Sequence, residues 1–223
     1  MAVHLQRELG SLKNRMLSLC ALVEDDVRQA VQAVDRREPA LARQVIERDL
    51  QVDHEEVSIE EECLKLLALH QPVANDLRFI VAVLKLNNDL ERIADLAVNI
   101  AERALFLSSQ TPLDIPYDFS AIAAKTQAML RQSIDALINR DADLARKVGL
   151  ADDEVDAINR EAFNRVTSMI KSHPDDLDSL IALLSVSRYL ERIADHASNI
   201  AEDVIYLIEG RIVRHQHKAL PKN

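Results

Sequence analysis

Apolar residues recur three and four positions apart along almost the whole chain, the period of helices with one buried face. Between breakers this pattern predicts six helices. The first runs from about Val3 to Arg36, and Pro39 suits the opening turn of the second. That helix continues to about Leu69, where His70, Gln71 and Pro72 interrupt it, and the third spans about Asn75 to Leu107. The stretch SSQTPLDIPYDFS, with two prolines, breaks the period and reads as a linker. The fourth helix is expected from about Ser120 to Asn139 and the fifth from about Asp141 to Ser172. After SHPDD, with Asp175 or Asp176 as a candidate cap, the sixth runs to Glu209 and stops at Gly210.

The pattern is written twice. Residues 90–102 read LERIADLAVNIAE and residues 190–202 read LERIADHASNIAE, identical at eleven of thirteen positions. Arg28 to Asp53 also matches Arg131 to Asp156 at a constant offset of 103, with Arg28, Ala33, Arg37, Ala42, Val45, Asp49 and Asp53 among the recurring residues. From Asp76 onward the offset is 100, so three residues are missing from the second half, near the end of its middle helix. The expected fold is therefore all-α, six helices arranged as two repeated antiparallel three-helix bundles. The first bundle is expected over residues 1–108, a linker over 109–119, the second bundle over 120–210 and a polar tail over 211–223. Such a molecule is elongated and pseudo-symmetric, with Glu91 superposing on Glu191 and Asp49 on Asp152.

On a helical wheel Phe79, Val83, Leu86, Leu90, Ile93, Ala97 and Ile100 form one face of the third helix, assigned to the core. Asn88, Glu91, Asp95, Asn99 and Glu102 gather on the other side, a turn apart, and the sixth helix repeats the row as Glu191, Asp195, Asn199 and Glu202. The second helix carries Asp49, Asp53, Glu56 and Glu60 at the same spacing; the fifth keeps Asp152 and Asp156 and then turns to Asn159 and Phe163. A solvated acidic face is the plain reading, because like charges one turn apart cost only about a few tenths of a kcal/mol when exposed. Divergence between the halves weighs against it. Only four of fourteen positions match between 76–89 and 176–189, against eleven of thirteen in the adjoining stretch that holds the acids, where a solvated face should have drifted fastest. Carboxylates and amides on neighbouring helices are hard oxygen ligands, suited to Mg²⁺, Mn²⁺, Ca²⁺ or iron. The expected sites set Glu91, Asp95 and Asn99 against Asp49 and Asp53, and Glu191, Asp195 and Asn199 against Asp152 and Asp156. Leu77, Val81 and Leu84 lie off the main apolar face and are expected to pack against another helix or subunit.

Composition narrows the function. Of the 223 residues 48% are apolar, enough for a core, and three glycines with six prolines suit helices. A formal charge of −10 disfavours nucleic acid, which calls for a basic stripe. No apolar run approaches the roughly 20 residues that span a bilayer, and the opening MAVHLQRELG lacks a signal peptide's apolar core, so a cytoplasmic location is expected. Cys20 and Cys63, far apart and without a CxxC partner, are expected to be buried thiols. Asp53-His54-Glu55-Glu56 resembles a zinc-protease helix, but Ser58 stands where the second His is needed. His196 is expected in an outer-shell or solvent role, and His215 and His217 sit in the polar tail. Arg78 is expected to pair within the bundle. No Gly-rich phosphate loop is present.

The doubled plan, QPVANDLRFIVAVLKLNNDLERIADLAVNIAE in the first half, SRYLERIADHASNIAE in the second, and the Asp-x-x-Val-Asp elements at Asp49–Asp53 and Asp152–Asp156 resemble the PhoU family of phosphate-signalling regulators over nearly the full length. The resemblance implies a non-enzymatic accessory regulator that links the phosphate-specific ABC transporter, through its ATPase subunit, to a sensor histidine kinase and represses the phosphate-starvation response when phosphate is plentiful. It implies a homodimer that reaches the membrane only through its partners. It also implies divalent metal (Mg, Mn, Fe or Zn) on E/D-x-x-x-D motifs, which here fall on Glu91–Asp95 and Glu191–Asp195. The family's usual Gly before the motif Asp is Ala94 and Ala194 in this chain. The competing reading is a carboxylate-bundle metalloprotein for metal storage or oxidation, although such proteins place Glu-x-x-His in the core and the acidic rows here have none.

Overall fold

The computed structural model describes residues 2–213, with side chains from His4 onward. Its helices are α1 (Ala2–Asp35), α2 (Pro39–His70), α3 (Ala74–Ser109), α4 (Phe119–Asn139), α5 (Ala142–Ser172) and α6 (Leu177–Glu209), with a single 3-10 turn at Pro174–Asp176 and no strand among the described residues. Helices α1, α2 and α3 pack on one another as the first bundle, and α4, α5 and α6 as the second. The most extensive packing joins α3 to α6, so the repeated helices form the seam between the bundles. The predicted core face of α3 is buried at Val83, Leu86, Leu90, Ile93, Ala97 and Ile100, and Phe79 packs against it partly exposed. Leu84 also packs on the core, whereas Leu77 remains 40% exposed.

The duplication extends to the backbone. Glu38 N–H donates to the Ala33 carbonyl at 3.1 Å, and Asp141 N–H donates to the Ala136 carbonyl at 3.0 Å, closing α1 and α4 with the same bond. Arg37 and Arg140 both take the left-handed conformation there. The Arg37 side chain then donates to the carbonyls of Leu107 and Gln110, tying this turn to the end of α3.

The offset of 103 persists to the end of the middle helices: Ile59 and Ala162, then Cys63 and Val166, are buried in pairs. The three missing residues therefore come out of the connection, not the helix as the periodicity suggested. Residues 71–73 link α2 to α3, while α5 meets its 3-10 turn through His173 alone. The turn also corrects the expected cap. Asp176 takes the N-cap position of α6, but its side chain makes no capping bond. Side-chain caps occur instead at Asp118, which accepts from Ala121 N–H, and at Asp141, which accepts from Asp143 and Leu144 N–H. Gly210 ends α6 in the left-handed conformation as expected. Cys20 and Cys63 are buried free thiols, and burial pushes both up to about 12.

Candidate functional site

Two grooves, between α2 and α3 and between α5 and α6, collect the acidic rows. In the first, Asp53 and Asp95 stand close enough to Asp49 and Glu91 to raise the proton affinity of those two. Burial first, then Asp53 and Asp95, pushes Asp49 up; burial first, then Asp95, pushes Glu91 up, with Arg92 opposing and Glu56 and Asp53 adding less. Glu56 is raised as well, by burial and then by Glu60 and Asp53. In the second groove Asp152 is pushed up to about 6, by burial and then by Asp195 and Asp156. Glu191 is raised by burial and then mainly by Asp195 and Asp156, with Arg188 opposing. Four predicted acids thus lie within reach of one another's charge in each groove.

The two predicted asparagines turn elsewhere. Asn99 donates its amide to the Asp95 backbone carbonyl at 2.8 Å, within its own helix. Asn199 points across the seam, its amide 3.4 Å from Asp89 Oδ1 on α3 rather than toward α5. Ser198 takes that direction instead, donating to Asp152 Oδ1 at 3.4 Å. The first bundle has Val98 at the matching position, and Asp49 Oδ1 is buried without a hydrogen-bond partner.

A supporting residue escaped the sequence reading. Asn87, almost fully buried, donates to the Glu56 carbonyl at 2.9 Å and to Glu56 Oε1 at 3.2 Å, fixing that carboxylate at the groove. At the matching places in the second bundle, Ser187 donates to Asn159 Oδ1 at 2.8 Å. The contact survives while the carboxylate is lost, so the first groove is richer in acid. The available sequence signal was the exchange of Glu56 for Asn159 together with Asn87 for Ser187.

The donor set of each groove is all oxygen, mutually repelling and partly dehydrated, which suits a hard divalent cation. The orphaned Asp49 Oδ1 fits such a ligand. Among the described residues, no three His, Cys, Asp or Glu side chains are already gathered in a geometry that holds an ion. Arg92 lies 3.4 Å from Glu91 and 3.5 Å from Asp95, partly neutralising the first groove. His54 is exposed, as expected of a surface residue. His196 is not in an outer-shell or solvent role: it pairs with Asp89. Arg78 donates to Asn75 within α3, the expected local pairing. His215 and His217 lie outside the described residues.

The PhoU domain family matches this chain at residues 16–104 and again at 119–204, one match per bundle. The chain belongs to the PhoU family. It is similar to the phosphate-specific transport system accessory protein PhoU homolog of Pseudomonas aeruginosa, 38% identical over 93% of this chain and 86% of that protein. It is also similar to the correspondingly named homolog of Aquifex aeolicus, 38% identical over 95% and 96% of the two chains. Among solved structures, PhoU from Pseudomonas aeruginosa superposes with a TM-score of 0.88 at 37% identity, covering 92% of this chain and 99% of that one. The phosphate transport system regulatory protein PhoU from Streptococcus pneumoniae gives 0.82 at 26% identity, covering 94% and 99%. No described helix of this PhoU-family chain is long and apolar enough to cross a membrane.

Proposed function

We propose that this protein is an accessory regulator of phosphate uptake. It acts without catalysis, coupling the ATPase subunit of a phosphate-specific ABC transporter to a phosphate sensor histidine kinase and repressing the starvation response when phosphate is plentiful. The observation that carries the reading is likeness over both bundles to proteins named phosphate-specific transport system accessory protein. The protein works in the cytoplasm as a homodimer and meets the membrane only through its partners.

The two grooves are proposed as divalent-metal sites, with Asp49, Asp53, Glu91 and Asp95 as ligands in one and Asp152, Asp156, Glu191 and Asp195 in the other. The crowding of carboxylates around Asp49, Glu91, Asp152 and Glu191 supports this, because a bound cation removes the same repulsion that a proton relieves. Deletion in the native host tests the regulatory role. Starvation-induced phosphatase should be expressed constitutively in rich phosphate and silenced by the intact gene. Unchanged repression in the deletion strain, with no association of the purified protein with transporter ATPase or kinase, would overturn the reading.

A further inference from the structure

The two grooves share an origin but diverge away from the acids. The α5–α6 groove holds a cavity of about 780 Å³ that has Glu191 and Asp195 at its acidic end and Arg160, Phe163, Ile181, Leu184, Arg188 and Arg192 along the rest of its lining. At the matching places the first bundle carries Val57 for Arg160, Glu60 for Phe163 and Asn88 for Arg188. Asn159 and Asn164 likewise stand where Glu56 and Glu61 do. Across its two walls the groove has therefore exchanged three carboxylates for neutral residues and gained Arg160 and Arg188, while Ser185 replaces Lys85, in a chain whose formal charge is −10.

Folding alone does not account for this lining. Phe163 is 57% exposed and Ile181 49%, two large apolar groups in water where the first bundle keeps a glutamate and a partly covered valine. Arg160 is exposed and pairs with the half-buried Asp156 one turn away at 3.7 Å, a surface pair of little worth. Arg188 and Arg192 are exposed on the facing helix, two of three arginines bordering the apolar pair. An apolar anchor point bordered by three arginines, with fewer acids on its α5 side than the first bundle keeps, is the chemistry of a contact surface.

We propose that the part of the α5–α6 groove beyond Glu191 is a docking surface for an acidic segment of a partner protein that carries a bulky apolar residue. The apolar residue seats on Phe163 and Ile181, and its flanking carboxylates meet Arg160, Arg188 and Arg192. Charge complementarity selects this occupant: a basic segment is repelled by the arginines, and a purely polar one leaves the apolar pair uncovered. The proposal goes beyond the regulatory role above, which stands or falls on the deletion strain.

The test uses the full chain and a short fluorescein-labelled peptide of Glu, Asp and Leu around one Phe, with a control in which every acid is Lys, read by fluorescence anisotropy. The acidic peptide should bind, lose affinity as salt rises, and outcompete the lysine control. Reversing charge in R160E/R188E should weaken it at least about tenfold, through like-charge contacts. F163S should weaken it without changing its salt dependence, and E60Q/E61Q in the first groove should leave binding intact. All these substitutions fall on exposed side chains, and circular dichroism checks that the helices persist. Equal binding of both peptides, or indifference to R160E/R188E, overturns the proposal. So does binding of anionic vesicles through this surface in place of the peptide, or its burial between two copies of this chain in solution.

Discussion

Nδ1 of His196 on α6 lies 2.8 Å from Oδ1 of Asp89 on α3, joining the two bundles across their seam. Both side chains are largely covered, and Asn199 brings its amide to the same oxygen at 3.4 Å. A second link lies alongside: Lys85 Nζ reaches Asp203 Oδ1 at 2.9 Å and sits 5.0 Å from the Tyr206 ring centre. In the duplicated pattern His196 matches Leu96 and Asp89 matches Tyr189, so the pair exists once, where symmetry breaks.

Replacing His196 by Leu removes the partner of a buried carboxylate. The H196L protein is expected to lose about 1–3 kcal/mol, read by urea denaturation. Adding D89L should recover part of the loss. A single variant as stable as the parent would show that the seam rests on its apolar contacts alone.

Arg48 of α2 forms an ion pair with Asp26 of α1, which is 2% exposed, and reaches Asp25 at 2.9 Å. Burial, opposed by Arg48, pushes Asp26 up to about 6. R48M strands that carboxylate, and a cost of about 2–4 kcal/mol is expected, discounted from a fully buried pair because Arg48 is partly exposed. The penalty should shrink in acid, where Asp26 takes up a proton, and R48M/D26N should be less impaired than R48M.

Asp152 binds its proton more tightly folded than unfolded, because its pKa is raised to about 6. Its contribution to stability is therefore fully present below the ordinary carboxylate range and is lost as pH rises through about 6. In chelator, D152N is expected to melt above the parent at pH 7.5, with the difference closing toward pH 4. Thermal melts at several pH values read this directly, and a difference independent of pH would contradict the assignment.

E91A/D95A removes two carboxylates of the first groove without touching a buried apolar side chain. Circular dichroism should be unchanged, while isothermal titration with Mn²⁺ should lose the binding of the first groove and keep that of the second. Full retention of Mn²⁺ by this double variant, with E191A/D195A equally without effect, would leave the acids as a solvated face.

Gly210 carries φ 71°, and a Cβ there would lie 2.7 Å from Nη1 of Arg78. Arg78 is the end of a flexible side chain and can swing aside, so the backbone conformation dominates the cost. G210A should lose about 1 kcal/mol, with little recovered in G210A/R78A; a large rescue would place the cost in the steric contact.

The sequence alone determined the six helices, their duplication and which acids share a face, because each follows from a period local to one helix. Asp49 and Asp53 could be set against Glu91 and Asp95 before any coordinates, since a short connection makes consecutive helices antiparallel neighbours. Tertiary structure decided what crosses between elements at long range. His196 meets Asp89, Lys85 meets Asp203, and Asn199 turns toward the seam rather than to Asp152, because the rotation of one bundle against the other sets which flank of α6 faces α3. The same holds within a bundle for Asn87, whose amide reaches Glu56 only once side-chain packing fixes the roll of α3 against α2. Helical periodicity gives the direction of a residue about its own axis; the partner it meets depends on the packing of the other helices.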